Sequence, residues 1–190
     1  MLRLRPYKPS DAATIVTWCK DEITFRRWTS DRYDHYPITS ADMNLKYLSF
    51  NGDCVEDDNF YPFTAFDEDG IVGHLIMRYV DEAKKTLRLG FVIVDDTKRG
   101  KGYGKELIRL SLRYAFECFG AETVNLGVFE NNPSAWNCYR AAGFRDVPQQ
   151  EKAVCCVCGE DWTVTELEMS REEWFGIISK VEMKERRVGE

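Results

Sequence analysis

Three glycines alternate with basic residues in the stretch Lys98-Arg99-Gly100-Lys101-Gly102-Tyr103-Gly104-Lys105, between an apolar run ending at Val94 and an amphipathic run that follows. Such an arrangement does phosphate chemistry. A helix N-terminus presents unpaired backbone N–H groups and partial positive charge, and glycines let an oxygen approach them closely. The spacing excludes two phosphate loops. A Walker A loop needs Gly at position 99 and Ser or Thr at 106, where Arg99 and Glu106 stand. A dinucleotide fingerprint needs G-x-G-x-x-G, whereas Gly100, Gly102 and Gly104 form G-x-G-x-G. A phosphate or pyrophosphate ligand is expected.

A second constellation is Asn132-Pro-Ser-Ala135-Trp-Asn-Cys-Tyr139-Arg-Ala-Ala-Gly143-Phe144. Asn132 followed by Pro133 is an N-cap signal, and Gly143 is a C-cap signal. Tyr139 between them holds a phenolic proton at neutral pH. Arg99-x-x-Gly102-x-Gly104 followed in order by Asn132-x-x-Ala135-x-x-x-Tyr139 and Gly143-Phe144 resembles the GNAT superfamily of acetyl-CoA-dependent N-acetyltransferases. The likeness runs from Leu2 to about Met169, in the tone of the branch acting on ribosomal-protein N-termini and small amines.

The resemblance implies acetyl-CoA as co-substrate, without a metal, and direct attack of a primary amine of a small molecule or a peptide N-terminus. It places the pyrophosphate on the loop of Arg99, Gly100, Lys101, Gly102, Tyr103, Gly104 and Lys105. Backbone groups of Val92, Ile93 and Val94 would serve the pantetheine, an N–H near Val92 polarising the carbonyl. Asn132 and Ala135 would lie near the cofactor, and Tyr139 would protonate the leaving thiolate as general acid. It also implies a mixed α/β (α+β) fold: a central mixed, mostly antiparallel sheet of about seven strands flanked by helices. Residues 1–169 would form the domain and 170–190 a helical extension of it.

Alkyl amines are mostly protonated at neutral pH, so an amine acceptor calls for a base or a water relay. Relatives often carry Glu two residues before Gly90; Arg88 stands there. The remaining candidates are Glu22, Asp31, Asp34, His35, His74 and Glu130, with Glu130 and His35 kept as possible bases and His74 read as structural. Asp21 to Tyr36 is expected to shape the acceptor site, its acidic residues suiting a cationic amine. Cys138 has no neighbouring activating base, which disfavours a covalent route. Cys155, Cys156 and Cys158 lack the matching pair of a zinc site. A catalytically inactive acyl-CoA-binding module is the alternative from another functional class.

The elements that must hold these residues follow from periodicity. Strands are expected at 2–6, 60–66, 71–80, 86–94 and 124–128, the last with Val124, Leu126 and Val128 on one side. Leu87, Leu89, Phe91 and Ile93 are expected on one face of the fourth, and Gly90 marks a bulge or close backbone approach. Helices are expected from a Ser10 cap through Cys19, at 39–50, 102–119 and 133–142, with a hairpin at 153–169. Trp174, Ile177, Ile178 and Val181 form an apolar stripe in the tail, and 51–59 is a polar loop.

The 190 residues carry a formal charge of −6, which argues against a nucleic-acid partner. No run suits a membrane span or signal peptide. Seven cysteines without a secretory signal fit reduced thiols in the cytoplasm. A monomer or homodimer is expected.

Overall fold

The structure is a computed structural model describing residues 1–49, 59–148 and 151–188, with side chains of the last helix described up to Lys180. In chain order the elements are β1 (Arg3–Pro6), α1 (Ala12–Ile15), α2 (Glu22–Thr29), α3 (Ser40–Ser49), β2 (Tyr61–Asp67), β3 (Gly70–Tyr79) and β4 (Thr86–Val94). Then come α4 (Tyr103–Arg113), β5 (Thr123–Phe129), α5 (Pro133–Ala142), β6 (Arg145–Asp146), β7 (Ala153–Val157), β8 (Glu160–Ser170) and α6 (Arg171–Val188).

The strands form one eight-stranded sheet in the order β1-β2-β3-β4-β5-β8-β6, with β7 also on β8. The mixed, mostly antiparallel sheet agrees with expectation; β4 and β5 are its parallel pair. The strand beyond the expected seven is β6, whose two residues are too short to leave an alternation.

β4 is interrupted by one extra residue. Ile76 pairs with Gly90 and His74 with Ile93, so Phe91 and Val92 together face Leu75. Phe91 takes a left-handed φ of 48°. A bulge of this kind bends the strand and reverses which face later side chains take. Leu87 and Leu89 join the core beneath α4, and Val92 and Val94 pack there too. Phe91 and Ile93 instead meet the second core, with Phe25, Trp28 and Met43 of α2 and α3. The single apolar face expected for Leu87, Leu89, Phe91 and Ile93 is therefore corrected to two faces, divided at the glycine.

β4 and β5 part at the same level. They pair at Thr86–Thr123, Leu87–Val124 and Arg88–Asn125, and no further. β5 meanwhile stays with β8 along its whole length, from Thr123–Ser170 to Phe129–Val164. From Leu89 onward the two parallel strands diverge and leave a cleft between them.

Local corrections have local causes. Ser10 caps nothing: the cap is Lys8, whose N–H donates to the Asp11 carboxylate at 2.9 Å, with Pro9 opening a short 3-10 turn. Asp11 is consumed by Arg5 at 2.7 and 2.9 Å and by the Thr64 hydroxyl at 2.8 Å. The stripe through Cys19 is a single α-helical turn flanked by 3-10 turns. Within 21–36 lies the helix α2, capped by Asp21 accepting the Thr24 N–H at 2.7 Å. Except for Asn59, the 51–59 loop lies outside the described residues.

α6 docks on the main core. Trp174 is 2% exposed, with its ring 6.3 Å from that of Phe116. Arg171 donates to the carbonyls of Phe116 and Ala121 at 2.7 and 2.8 Å. Ile177 and Ile178 pack beside them, while the Val181 side chain lies outside the described residues. No described helix is long and apolar enough to cross a membrane. Trp174→Ala is expected to lower unfolding stability by about 3–5 kcal/mol in urea titration, as for a buried aromatic. A loss under about 1 kcal/mol would mean that α6 docks without supporting the core.

Candidate active site

The cleft between the parted strands has two halves. The larger, of about 500 Å³, runs between β4, the glycine loop and α5. Gly100 and Gly102 hold left-handed φ angles of 74° and 89°, and an added Cβ on either would meet open space. Gly102 caps α4, and the first helical bond is Glu106 N–H to the Gly102 carbonyl at 3.1 Å. The N–H groups of Tyr103, Gly104 and Lys105 therefore lie in the first turn without intrahelical partners. Bare amides, left-handed glycines and open space fit a pyrophosphate.

The basic side chains of the loop are divided in purpose. Lys105 and Arg99 line the groove. Arg99 also braces it, donating to the carbonyls of Val94 and Trp18 at 3.3 Å each. Lys98 pairs with Asp69 at 3.0 Å and Asp67 at 3.5 Å, and the Tyr103 hydroxyl donates to Asp67 at 2.8 Å. Lys101 donates to the Thr97 carbonyl at 3.0 Å. Val92, Ile93, Val94, Gly100, Gly102, Gly104, Asn132 and Ala135 line the groove, whereas Lys101 and Tyr103 do not. Their side chains instead tie the loop to itself and to the β2–β3 turn.

Tyr139 lines both halves. Its ring is buried in α5, and burial, reinforced by Cys138, pushes the phenol above its usual pKa of 10. Asn132 caps that helix, accepting the Ala135 N–H at 3.3 Å, and Gly143 closes it at a φ of 112°. Across the cleft, the Trp28 indole donates to the Phe91 carbonyl at 2.8 Å. A peptide unit is planar, so holding that carbonyl fixes the direction of the Val92 N–H.

The smaller half, about 220 Å³, lies between β3, β4, β5 and the end of α2. Among the described residues no Asp, Glu or His lines either half. Glu130 sits past the end of β5, outside both linings, paired with Lys152. His35 is exposed and stands 3.7 Å from Asp42. Glu22 pairs with Arg26 at 3.0 Å, and neither Asp31 nor Asp34 lines the cleft. His74 is fully buried against Tyr47, whose hydroxyl lies 2.7 Å from Nε2; burial lowers its pKa to about 3, in keeping with a structural imidazole.

Arg88 makes a two-pronged bond to Glu166 of β8, 2.7 Å on each side, and reaches Asn125 at 3.3 Å. Among the described residues no group of His, Cys, Asp or Glu is placed to hold a metal. Cys138 is half-buried and its pKa is raised by burial, so its thiol stays protonated. Arg27 and Trp28, within the 21–36 segment expected to shape the acceptor site, line both halves, and sequence reasoning gave neither an individual role. The available signal was the Asp21 cap followed by Phe25 and Trp28 at helical spacing.

Residues 21–144 match the model of the Acetyltransferase (GNAT) family. The chain belongs to the GNAT acetyltransferase family. It is an acetyl-CoA-dependent N-acetyltransferase. It is 26% identical over 110 residues to the spermine/spermidine N(1)-acetyltransferase of Bacillus subtilis, covering 53% of this chain and 72% of that protein. It is 25% identical over 133 residues to the acetyltransferase PseH of Campylobacter jejuni, covering 67% and 81%. The fold matches the crystal structure of the Vibrio cholerae spermidine N-acetyltransferase in complex with CoA and spermine. There the TM-score is 0.74 at 18% identity, over 92% of this chain and 98% of that one.

Gly102→Ala places a side chain on a left-handed residue at the loop. It is expected to raise the KM for acetyl-CoA about tenfold, from strain of about 1–2 kcal/mol. Steady-state kinetics at saturating acceptor checks this, and an unchanged KM would remove the loop from donor binding.

Proposed function

We propose that this GNAT enzyme acetylates the primary amine of a small molecule by direct attack, with Tyr139 as general acid. The carrying observation is the parting of β4 and β5 at the glycine loop, with Tyr139 lining both resulting halves. Acetyl-CoA supplies an activated thioester. The loop amides and Lys105 bind its pyrophosphate, and the edge of β4 beyond its pairing with β5 orients the pantetheine. The Val92 N–H, held in direction through Trp28, polarises the carbonyl. Tyr139 keeps its proton across the working range and delivers it toward the leaving sulfur.

The amine loses its proton to water, because among the described residues neither half presents a carboxylate or imidazole. This reading takes the base role from Glu130 and His35. The named B. subtilis and V. cholerae relatives act on spermidine or spermine, which supports a small-molecule acceptor; a peptide N-terminus is the second acceptor to assay. Residues 1–169 as the catalytic domain with 170–190 as its extension is supported by the seat of Trp174 in the core. Six described cysteines are free, which supports a reducing, cytoplasmic setting. We read the active form as a monomer or homodimer.

Tyr139→Phe is expected to lower kcat about 100-fold with the KM for acetyl-CoA within about twofold. Full turnover would end the general-acid role. The pH profile follows from the same groups. With no side-chain base, log kcat/KM for the acceptor should rise with unit slope up to the amine's own pKa. Tyr139 acts in its protonated form, and its pKa is raised. Its contribution is therefore lost only as pH climbs past that raised value, leaving no falling limb below about pH 10. A plateau beginning near pH 6–7 that Glu130→Gln or His35→Ala abolishes would restore a side-chain base.

A further inference from the structure

We infer that the Arg88–Glu166 ion pair, laid across Gly127, sets the length of the accepted amine by closing the narrow end of the smaller half; this rests on the acetyl-transfer reading above. Arg88 stands on the last rung that joins β4 to β5, opposite Asn125. Its partner Glu166 belongs to β8, on the far side of β5. The bridge therefore spans two strand spacings, roughly 10 Å, and has to pass over β5. It passes at Gly127, the register partner of Glu166.

A carbon added at Gly127 would stand 2.7 Å from Arg88 Nη2, 3.0 Å from Glu166 Oε1 and 2.9 Å from Val164 Cγ1. Gly127 sits in a regularly paired stretch of β5, so the clearance under the bridge calls for glycine here. Arg88, Gly127 and Val164 all line the smaller half. β4 and β5 part just beyond the Arg88 rung, which puts the bridge at the apex of the cleft. Tyr139 lines the other end, where the two halves meet. An amine presented to Tyr139 extends the rest of its atoms toward that apex. The smaller half holds about 220 Å³, under half the volume of the donor half. The end wall it meets is polar, balanced in charge and held by two bonds of 2.7 Å each. Such a wall suits a short acceptor with an uncharged polar tail, a hydroxyl for example, and stops a longer one.

A series of linear amino alcohols tests this on the full-length enzyme with acetyl-CoA, CoA release being followed by chromatography. Its members are ethanolamine, 4-aminobutanol, 6-aminohexanol and 8-aminooctanol. In the wild type kcat/KM is expected to fall at least about tenfold from the best member to 8-aminooctanol. In Arg88→Ala that fall should shrink to about threefold or less, with the KM for acetyl-CoA within about twofold. The double variant Arg88→Ala/Glu166→Ala leaves neither charge without its partner, and it carries the test if the single variant does not fold. A wild-type profile that does not fall with length would overturn the inference. So would a fall that persists unchanged in the folded variant.

A binding measurement separates this failure from that of the acetyl-transfer reading. Thermal shifts of the enzyme–CoA complex are recorded with the same four amino alcohols. Absent turnover with every member defeats the acetyl-transfer reading. Stabilisation that declines with length, and declines less in the double variant, still supports the end wall. Stabilisation independent of length, or absent with every member, overturns it.

Discussion

Phe91 and Val92 of β4 stand opposite the single residue Leu75, and a pleated strand absorbs that mismatch by turning over. Much of the rest depends on this. Before the bulge, β4 feeds Leu87 and Leu89 to the core under α4; after it, Phe91 and Ile93 feed the core under α1 to α3. One strand thus ties both layers together. The ladder to β5 has ended at Arg88 by then, leaving a strand edge that β5 does not cover. Elsewhere an open edge invites aggregation; here α5 and the glycine loop border it.

Electrostatics in the molecule is local rather than global. An acidic chain must assemble its positive surface from a few residues, and it does so by giving some cations to structure and leaving others to the cleft. Lys98 is spent on the Asp67–Asp69 turn, and with Tyr103 it moors the loop to the β2–β3 hairpin. Lys105 faces the groove. At the other end, the acid that answers Arg88 arrives from β8 across β5. A carboxylate gripped on both oxygens by a guanidinium keeps the strands clamped.

The parts legible in sequence are those where backbone geometry restricts residue choice. Left-handed φ angles at Gly100, Gly102 and Gly143 need glycine, and Asn132 followed by Pro133 fits a helix start. The glycine turn and α5 could accordingly be read with their roles. The bulge was legible only as a mark at Gly90, because its consequence, the change of face, is decided by pairing with β3. The role of Trp28 escaped notice for a related reason. Its task, holding the Phe91 carbonyl, joins residues 63 positions apart. The Arg88–Glu166 bond spans 78 positions, and no local spacing announces it.

Cys138 points its sulfur at Gly104, where even a single added carbon would stand 3.1 Å away. That contact sets how closely α5 rests on α4, and hence where Tyr139 hangs over the groove. The thiol is kept protonated by burial and acts through its size. A thiol held in that form resists alkylation, so thiol reagents are expected to reach the exposed Cys118, Cys156 and Cys158 first.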